Sequence, residues 1–396
     1  MAEWVERKIS DIGTVVGGAT PSTKKPENYK DGKIAWITPK DLSTFSSRYI
    51  ERGERNITEI GLKSCSTQLL PPNTVLFSSR APIGYVAIAT NGVCTNQGFK
   101  SVIPNENTDP LFLFYLLKYN KDKIEEMGSG TTFKEVSGNT MKNIVVNVPT
   151  DKKVQEKIAA ILGSIDDKIE ENEQINNNLL EQVLTLYRNK FVDTANNERA
   201  ICCADEYFDI SIGKTPPRKE PQWFSTNPQD VTWVSISDMG TCGLYISSSS
   251  EQLTKQAVER HNVKVVPDNT VLLSFKLTIG RIAITNGEMT TNEAIAHFKT
   301  DKKEINEYLY CYLKCFNYQT MGSTSSIATA VNSKIIKGMP FVVPTNDELE
   351  EFHGFAAPMF AKIKANQIET DNLTALRDTL LPKLMSGELD VSDIDI

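Results

Sequence analysis

The chain has 396 residues, of which 40% are apolar and 23% charged, and its net charge is −7. This length suggests two or three domains, and the ordinary globular composition excludes a disordered chain. No run of about 20 apolar residues occurs and no apolar signal core opens the sequence, so we predict a cytoplasmic protein without a membrane segment. Seven cysteines without a Cys-x-x-Cys pair and only three histidines indicate reduced core thiols, and they leave little material for a zinc site or a histidine-based triad.

Residues 1–150 contain short β-branched segments separated by Gly, Pro and Asn, which is typical of the strands of a compact mixed α/β domain. After this domain the sequence changes to a helical pattern, which predicts a spacer over residues 151–192. Within the domain we predict strands at 74–77, 85–89 and 144–148 and one helix at 111–119.

The spacer has apolar residues at alternating intervals of four and three, which predicts the seam of a coiled coil. Ser164 and Asp167 have the spacing of a helix cap, so we predict a short helix followed by a long helix from Ser164 to Lys190. The seam positions are Ile158, Leu162, Ile165, Ile169, Asn172, Asn176, Leu179, Val183, Leu186 and Lys190.

Residues 193–345 return to the strand-rich composition, with one helix predicted at 305–315, and residues 346–396 form a second helical spacer with a tail. Pro358 aligns with Ser164, so this spacer is also predicted to be a short helix followed by a long one, at 358–381. Its seam positions are Phe352, Ala356, Met359, Ile363, Asn366, Thr370, Leu373, Arg377, Leu380 and Leu384.

The two halves of the chain are copies of each other at an offset of 194 to 197 residues. Six blocks recur in the same order, which chance does not produce, so the chain is a tandem duplication. They include Gly-x-Thr-Pro at 18–21 and 213–216, a Trp-containing segment at 35–41 and 232–238, Thr-Asn-Gln at 95–97 with Thr-Asn-Glu at 291–293, and Met-Gly-Ser at 127–129 and 321–323.

Antiparallel pairing of the two long helices gives such a chain a pseudo-twofold axis. It also places their polar seam positions opposite each other, where buried Asn fixes the register at some cost in stability. The alternative is that the seam is rotated by one position and these side chains are solvated. The four positions are Asn172, Asn176, Asn366 and Thr370.

The acidic charge lies in the helical parts of the chain. Residues 151–200 and 346–396 carry net charges of −3 and −7, whereas residues 1–150 carry +3 and residues 201–345 are neutral. The strand-rich domains therefore tolerate a duplex ligand. Since the sequence has no P-loop, no dinucleotide fingerprint and no methyltransferase motif of the Asn/Asp-Pro-Pro-aromatic type, we predict a non-catalytic chain that binds no metal.

Over essentially its full length the chain resembles the specificity subunits of type I restriction-modification systems. The resemblance is carried by the duplicated Gly-x-Thr-Pro, by the Trp-Ile-Thr and Trp-Val-Ser segments, by Thr-Asn-Gln and Thr-Asn-Glu, and by Thr-Leu-Leu-Pro-Lys-Leu-Met-Ser-Gly-Glu-Leu at 379–389. That last run is the most specific. The resemblance implies an α+β fold with target recognition domains at 1–150 and 193–345, separated by two long helices in an antiparallel coiled coil.

The same resemblance implies that each recognition domain reads one half of a split sequence in double-stranded DNA. It implies partners as well: two methylation subunits that carry S-adenosylmethionine and modify adenine, and restriction subunits that use ATP and Mg²⁺, while this chain binds no cofactor. Two other classes stay open, namely a coiled-coil DNA-binding regulator and a scaffold that binds only protein. A regulator would need a sensor pocket and usually a helix-turn-helix, neither of which the sequence indicates.

Candidate DNA contacts come from the duplicated blocks. Arg80 aligns with Lys276, and a basic residue in a polar loop suits a phosphate or a guanine edge, or is simply a surface cation. Gln97 aligns with Glu293, and an amide reads adenine where a carboxylate accepts from cytosine; the alternative for these two Thr-Asn blocks is that they only build a turn. The remaining candidates are Thr38, Lys40, Asp41, Ser235, Ser237 and Asp238 for bases and Lys24, Lys25 and Lys134 for phosphates.

Overall fold

The computed structural model describes residues 3–43, 45, 47–80, 82–130, 134–194, 199–321, 331–392 and 394. The chain forms two compact units: Met1–Glu170 with Asp371–Ile396, and Glu171–Thr370. Each unit therefore combines one strand-rich domain with parts of both long helices. Among the described residues, none of the helices is long and apolar enough to cross a bilayer.

The first unit contains a five-stranded sheet of order β2-β9-β6-β7-β4, a three-stranded sheet of order β5-β3-β8 and the pair β1-β10, with the bounds given below. In the three-stranded sheet β3 and β8 are parallel, so their carboxyl ends meet at one edge. The strands are β1 (Trp4–Lys8), β2 (Gly13–Gly17), β3 (Ile34–Ile37), β4 (Tyr49–Ile50), β5 (Arg55–Ile57), β6 (Val75–Ser79), β7 (Ile83–Ala89), β8 (Val93–Thr95), β9 (Lys100–Pro104) and β10 (Val145–Pro149).

Six short α-helices accompany these strands in the described part of the domain, and one of them forms much of the core. The carboxylate of Asp109 accepts the backbone N–H of Phe112 at 2.7 Å and Pro110 occupies the first turn, which starts this helix as expected. Its residues from Phe112 to Leu117 are all buried. The helices are α1 (Ile9–Ile12), α2 (Pro39–Leu42), α3 (Glu59–Lys63), α4 (Pro110–Tyr119), α5 (Lys121–Glu126) and α6 (Gly138–Asn143).

The second unit repeats this arrangement with a five-stranded sheet β12-β20-β17-β18-β15, a four-stranded sheet β13-β16-β14-β19 and the pair β11-β21. Here β14 and β19 are the parallel pair. The strands are β11 (Ile201–Cys203), β12 (Asp209–Ile212), β13 (Phe224–Ser225), β14 (Val231–Val234), β15 (Tyr245–Ile246), β16 (Gln252–Leu253), β17 (Val271–Ser274), β18 (Ile282–Thr285), β19 (Thr290–Thr291), β20 (Ile295–Lys299) and β21 (Pro340–Val342).

The matching strand orders confirm the internal duplication, with β13 added at one edge in the second copy. The predicted strands and the two predicted helices are present, but the expectation of one helix per domain is wrong. Segments of four to six residues are too short to show a helical period, so pattern analysis misses them. The helices of the second domain are α8 (Ala204–Tyr207), α9 (Asp238–Thr241), α10 (Lys255–Arg260), α11 (Asn306–Cys315) and α12 (Ser333–Lys337).

Each spacer is one continuous helix, α7 (Lys152–Tyr187) and α13 (Asn346–Met385), so the predicted division into a short and a long helix is wrong. Ser164 does not cap a helix, because its hydroxyl donates to the carbonyl of Ile161 at 2.9 Å. Pro358 lies on the exposed side of α13, and the residue four positions earlier is the exposed Gly354. The carbonyl that the proline leaves without a donor therefore faces solvent, which reduces the cost of proline in a helix.

The two long helices pair antiparallel within each unit. In the first unit the beginning of α7 and the end of α13 share one apolar cluster, with Ile158, Leu162 and Leu384 buried in it. In the second unit the end of α7 meets the beginning of α13, where the rings of Tyr187 and Phe352 are 6.0 Å apart. These contacts confirm the predicted antiparallel coiled coil.

All seven cysteines are free thiols, as predicted. Cys94 and Cys311 are buried, but Cys203 is exposed, so the expectation that every thiol is a core thiol is wrong for that residue. Cys203 ends the strand β11, which pairs with β21 at Cys203 and Pro340, and an edge position leaves its side chain in solvent.

Candidate functional site

The polar residues predicted to contact DNA gather where the parallel strands of each unit end. In the first unit Thr38 follows β3 and Gln97 follows β8 after one intervening residue, and Thr20 Oγ1 donates a hydrogen bond to Gln97 Oε1. We call Thr20, Thr38 and Gln97 the first strand-end cluster. Gln97 and Thr20 are exposed, so this cluster faces solvent on a rigid sheet edge.

The second unit builds the same arrangement from Thr215, Ser235 and Glu293, the second strand-end cluster. Thr215 Oγ1 donates to Glu293 Oε2, in the same way as the threonine of the first cluster donates to an amide. Burial alone would raise the pKa of the Glu293 carboxyl, but the bond from Thr215 and the nearby charges of Lys276 and Arg218 outweigh it and lower the pKa. Glu293 is therefore a charged acceptor at neutral pH.

The asparagine between these positions shapes the loop. Asn96 donates its backbone N–H to the carbonyl of Ile37 at 3.0 Å, and its side-chain oxygen accepts from the N–H of Gly98 at 2.8 Å. Asn292 repeats both bonds, with Val234 and Ala294. The alternative that the Thr-Asn pairs build a turn is thus the one that the geometry favours.

The Gly-x-Thr-Pro loop is packed against the same turn. A Cβ on Gly18 would lie 2.2 Å from the carbonyl oxygen of Asn96, and one on Gly213 would lie 2.1 Å from Thr291 Oγ1. Trp36 Nε1 donates to the carbonyl of Ala19 at 3.1 Å, and Trp233 makes the equivalent bond in the second unit at 3.1 Å. Glycine and tryptophan recur in the sequence because they hold this loop against the sheet edge.

Asp41 and Asp238, which were predicted to contact bases, accept hydrogen bonds inside their own loops instead. Asp41 Oδ2 accepts both the backbone N–H and the hydroxyl of Thr38 at 2.7 Å, and its Oδ1 accepts the N–H of Glu54 at 2.7 Å. These bonds form a capping box at the start of α2. A carboxylate with both oxygens engaged in this way is a loop-shaping group.

Asp238 accepts the equivalent hydrogen bonds in the second unit. Its Oδ2 accepts from the backbone N–H and the hydroxyl of Ser235 at 2.8 and 2.7 Å, and its Oδ1 accepts from the N–H of Ser250 at 3.0 Å. Burial would raise the pKa of this carboxyl, but the hydrogen bonds from Ser235 and Ser250 lower it. Ser237 is exposed, and so is Lys40, which pairs with Glu54 at 2.8 Å.

The predicted cations lie near these clusters in different settings. Arg80 follows β6, and its guanidinium is 3.6 Å from the carboxylate of Glu135; Lys134 is the exposed residue just before that glutamate. Lys276 is exposed at the equivalent loop of the second unit and lies close enough to Glu293 to lower its pKa. The residue after Arg80, Ala81, is outside the described residues, as are Gly322 and Ser323 of the repeated Met-Gly-Ser block.

The four polar seam residues lie between α7 and α13 in the second unit. Asn172 and Asn366 are each 1% exposed, so the seam is not rotated by one position. Asn366 Nδ2 donates to Asn176 Oδ1 at 2.8 Å, Asn172 Nδ2 donates to Glu369 at 2.9 Å, and Thr370 Oγ1 is buried without a hydrogen-bond partner among the described residues. Their role in fixing the register stays a prediction.

Sequence reasoning missed two arginines that stack on the repeated tryptophans. Arg55 of β5 lies 5.7 Å from the ring of Trp36, and Arg218 lies 4.7 Å from the ring of Trp233 while it binds Glu251 at 2.8 Å. They come from different places in the two copies, so the offset of the repeat does not reveal them. In the described parts of the chain no group of three or more His, Cys, Asp or Glu side chains is placed to hold a metal ion.

Comparison with known proteins agrees with this architecture. Residues 1–181 and 201–367 both match the family model of the type I restriction modification DNA specificity domain. The chain is 33% identical to the type I restriction enzyme MjaIX specificity subunit of Methanocaldococcus jannaschii, over 99% of this chain and 95% of that protein. It is 24% identical to the HindI specificity subunit of Haemophilus influenzae, over 98% and 100% of the two chains.

A solved structure has the same fold. The crystal structure of the type I restriction-modification system S subunit from M. genitalium matches 97% of this chain and 96% of its own, with a TM-score of 0.59 and 16% identity. The duplicated sheets, the paired long helices and the two matches to the specificity domain together identify this chain as a member of the type I restriction-modification specificity subunits.

Proposed function

We propose that this chain is a non-catalytic subunit in which each recognition domain reads one half of a bipartite DNA target, while the long helices set the spacing between the halves and dock methylation subunits. The observation that carries the proposal is the repetition of one scaffold with different side chains at its exposed edge. Loop-shaping residues are kept between the copies, whereas Gln97 is replaced by Glu293 and Arg80 by Lys276. This is what two readers of different half-sites require.

The chemistry of the exchanged residues supports base readout. An amide such as Gln97 matches the donor and acceptor of adenine in the major groove, whereas a carboxylate such as Glu293 accepts from the amino group of cytosine. Arg80 and Lys276 supply cations for guanine or for phosphate. Both clusters lie on sheet edges held by backbone hydrogen bonds, and a rigid support is what geometric readout needs.

The proposal assigns the chemical steps to other subunits. Two methylation subunits would carry S-adenosylmethionine, restriction subunits would bring ATP and Mg²⁺, and this chain would bind double-stranded DNA in the cytoplasm without a cofactor of its own. The family membership supports this division of labour. The acidic helices suit protein partners better than DNA, because like charge repels a phosphate backbone.

A reciprocal exchange tests the proposal. The full chain is produced with its methylation subunits, and the methylated sequences of a host genome are read for the wild type, for Gln97→Glu and for Glu293→Gln. Each exchange replaces one acceptor pattern by the other, so we expect it to change the preferred base in one half-site by about 1–3 kcal/mol of discrimination and to leave the other half unchanged.

The two variants control each other, because they make opposite substitutions at equivalent positions. A change in both halves by either variant contradicts independent reading. Methylation without any sequence preference would favour the scaffold alternative. So would the absence of methylation when this chain is present. Binding of a single continuous palindrome by the chain without methylation subunits would favour the regulator.

A further inference from the structure

A leucine occupies the tip of the loop between β17 and β18 in a conformation and an environment that both disfavour it. Leu277 has a φ of 60° and is fully exposed. The other non-glycine residues with positive φ in the described chain are Asp31, Asn73, Asn262 and Asn269, the residue types that tolerate this conformation. Neither burial nor backbone preference therefore accounts for leucine at this position.

The loop that carries Leu277 is held in one shape. Ser274 Oγ donates to the carbonyl of Thr278 at 2.6 Å and accepts the N–H of Arg281 at 3.0 Å. The ring of Phe275 is buried beneath the loop at 2% exposure. The leucine is thus presented to solvent by a rigid hairpin.

In the first unit the described residues on either side of the equivalent loop are anchored in the same way. Ser78 Oγ donates to the carbonyl of Pro82 at 2.8 Å and accepts the N–H of Tyr85 at 2.8 Å. The anchoring serine is therefore shared by the two copies, whereas the residues at the tip differ. A repeated support with an exchanged tip is the pattern that the strand-end clusters also show.

Leu277 lies between two exposed residues of complementary chemistry, Lys276 and Thr278. In the major groove a cation binds the O6 and N7 acceptors of guanine, a hydroxyl binds several base edges, and an apolar group contacts only the C5-methyl of thymine. The tip thus carries three consecutive side chains of the three types that read base edges. Phe275, the residue before Lys276, donates its backbone N–H to the carbonyl of Ala294 at 2.9 Å, so this loop lies beside Glu293 of the second strand-end cluster.

We propose that Leu277 is a specificity-determining residue of the second recognition domain, and that its side chain contacts the methyl group of a thymine in the second half-site. This inference rests on the proposed DNA-reading function and adds to it one residue and one base. It also explains why a strained, solvent-exposed leucine is present: a residue chosen for loop stability would be Gly or Asn.

The test uses the full chain assembled with its methylation subunits and a duplex selected from a random library by the wild type. Leu277→Ala should weaken binding of that duplex about tenfold, equal to about 1.4 kcal/mol. Leu277→Met retains an apolar side chain and should bind within about threefold of the wild type. Val265→Ala, which shortens another exposed apolar side chain of the same unit, is the matched control and should bind as the wild type does.

Replacing each thymine of the duplex in turn by deoxyuridine removes only the methyl group. We expect one such replacement, in the second half-site, to weaken binding by the wild type and to have no further effect on Leu277→Ala. Leu277→Asn should unfold at the same temperature as the wild type or a higher one, because Asn tolerates positive φ, so lost binding in that variant is not lost folding.

Equal binding by Leu277→Ala and the wild type, when the wild type selects a defined sequence, would overturn this inference and leave the proposed function standing. A loss of binding that is independent of every thymine methyl would also overturn it, and would indicate insertion of the side chain between base pairs instead. If the wild type selects no sequence at all, the proposed function fails together with the inference.

Discussion

Acid should destabilise the second unit more than the first, because of one buried histidine. His297 on β20 is 0% exposed, and its ring nitrogens share hydrogen bonds with Ser211 at 3.0 Å and with Thr291 at 2.7 Å. Burial, and to a smaller extent the charge of Lys299, lowers the pKa of His297 to about 3. The unfolded chain, with a histidine pKa of about 6.5, therefore takes up a proton between pH 6.5 and 3 that the folded unit does not.

The stability that neutral His297 contributes is complete above pH 6.5 and is lost progressively as the pH falls towards 3. From pH 7 to pH 5 the expected loss in the free energy of unfolding is about 2 kcal/mol. Ser101 occupies the equivalent position on β9 of the first unit. Because a serine hydroxyl does not titrate in this pH range, the loss of stability that histidine protonation causes is confined to the second unit.

Urea unfolding at pH 7 and pH 5, followed for each unit by hydrogen exchange and mass spectrometry, measures this loss. Comparison of the wild type with His297→Gln isolates the imidazole from the carboxyl groups, since those titrate in both proteins. The wild type should lose about 2 kcal/mol more than the variant in the second unit. Ser101→Ala in the first unit should leave the difference unchanged. If His297→Gln loses as much stability as the wild type on acidification, the reasoning is refuted.

Three other changes have defined outcomes. Arg377→Ala removes the guanidinium 2.9 Å from Asp166, which is 5% exposed, and should lower the free energy of unfolding in urea by about 3–5 kcal/mol; Asp166→Asn in the same chain should restore most of it. One heptad added after Asn176 and one before Asn366, which face each other, should lengthen each helix by about 10 Å and widen the gap of the methylated target by about 3 base pairs. An unchanged gap would assign the spacing to partner subunits or to bending of the DNA. Replacing residues 1–150 with the same domain of a relative should change one half-site in the methylated sequences, and a change in both would contradict independent domains.

The duplication, the helical spacers and the long strands could be predicted because each leaves a periodic or repeated trace in the sequence. The seam of α7 is an example: Asn172 breaks the apolar pattern at a seam position, and the structure buries it there. The continuity of the helices could not be predicted in the same way. Pro358 predicts a helix start when it is read locally, and only the packing of Phe352 and Phe360 on both sides of it shows that the helix continues.

The candidate site was predictable in position but not in detail. Repetition located the sheet edges that carry Gln97 and Glu293, because both loops are built from the same residue types. The repetition could not show that both carboxylate oxygens of Asp41 accept backbone hydrogen bonds within its own loop. Arg377 is a basic residue at a seam position, where the pattern expects an apolar side chain, and the structure supplies Asp166 as its partner. The Arg377–Asp166 pair joins residues 211 positions apart, and sequence spacing does not encode it.

In each copy, the residues that hold the loop against the sheet edge are distinct from the exposed residues that can be substituted. Gly18 and Gly213 each fill a position where a Cβ would meet backbone or a buried threonine, and Trp36 and Trp233 each hold the same loop, so exchange at these sites would disturb the edge itself. Lys276, Leu277 and Thr278 at a loop tip have no such role within the fold, since they are exposed. A substitution at a loop tip therefore changes the side chain that is exposed to solvent without changing the structure of the sheet edge. That separation allows one ancestral domain, copied once, to supply two DNA specificity domains with different exposed side chains on the same pair of helices.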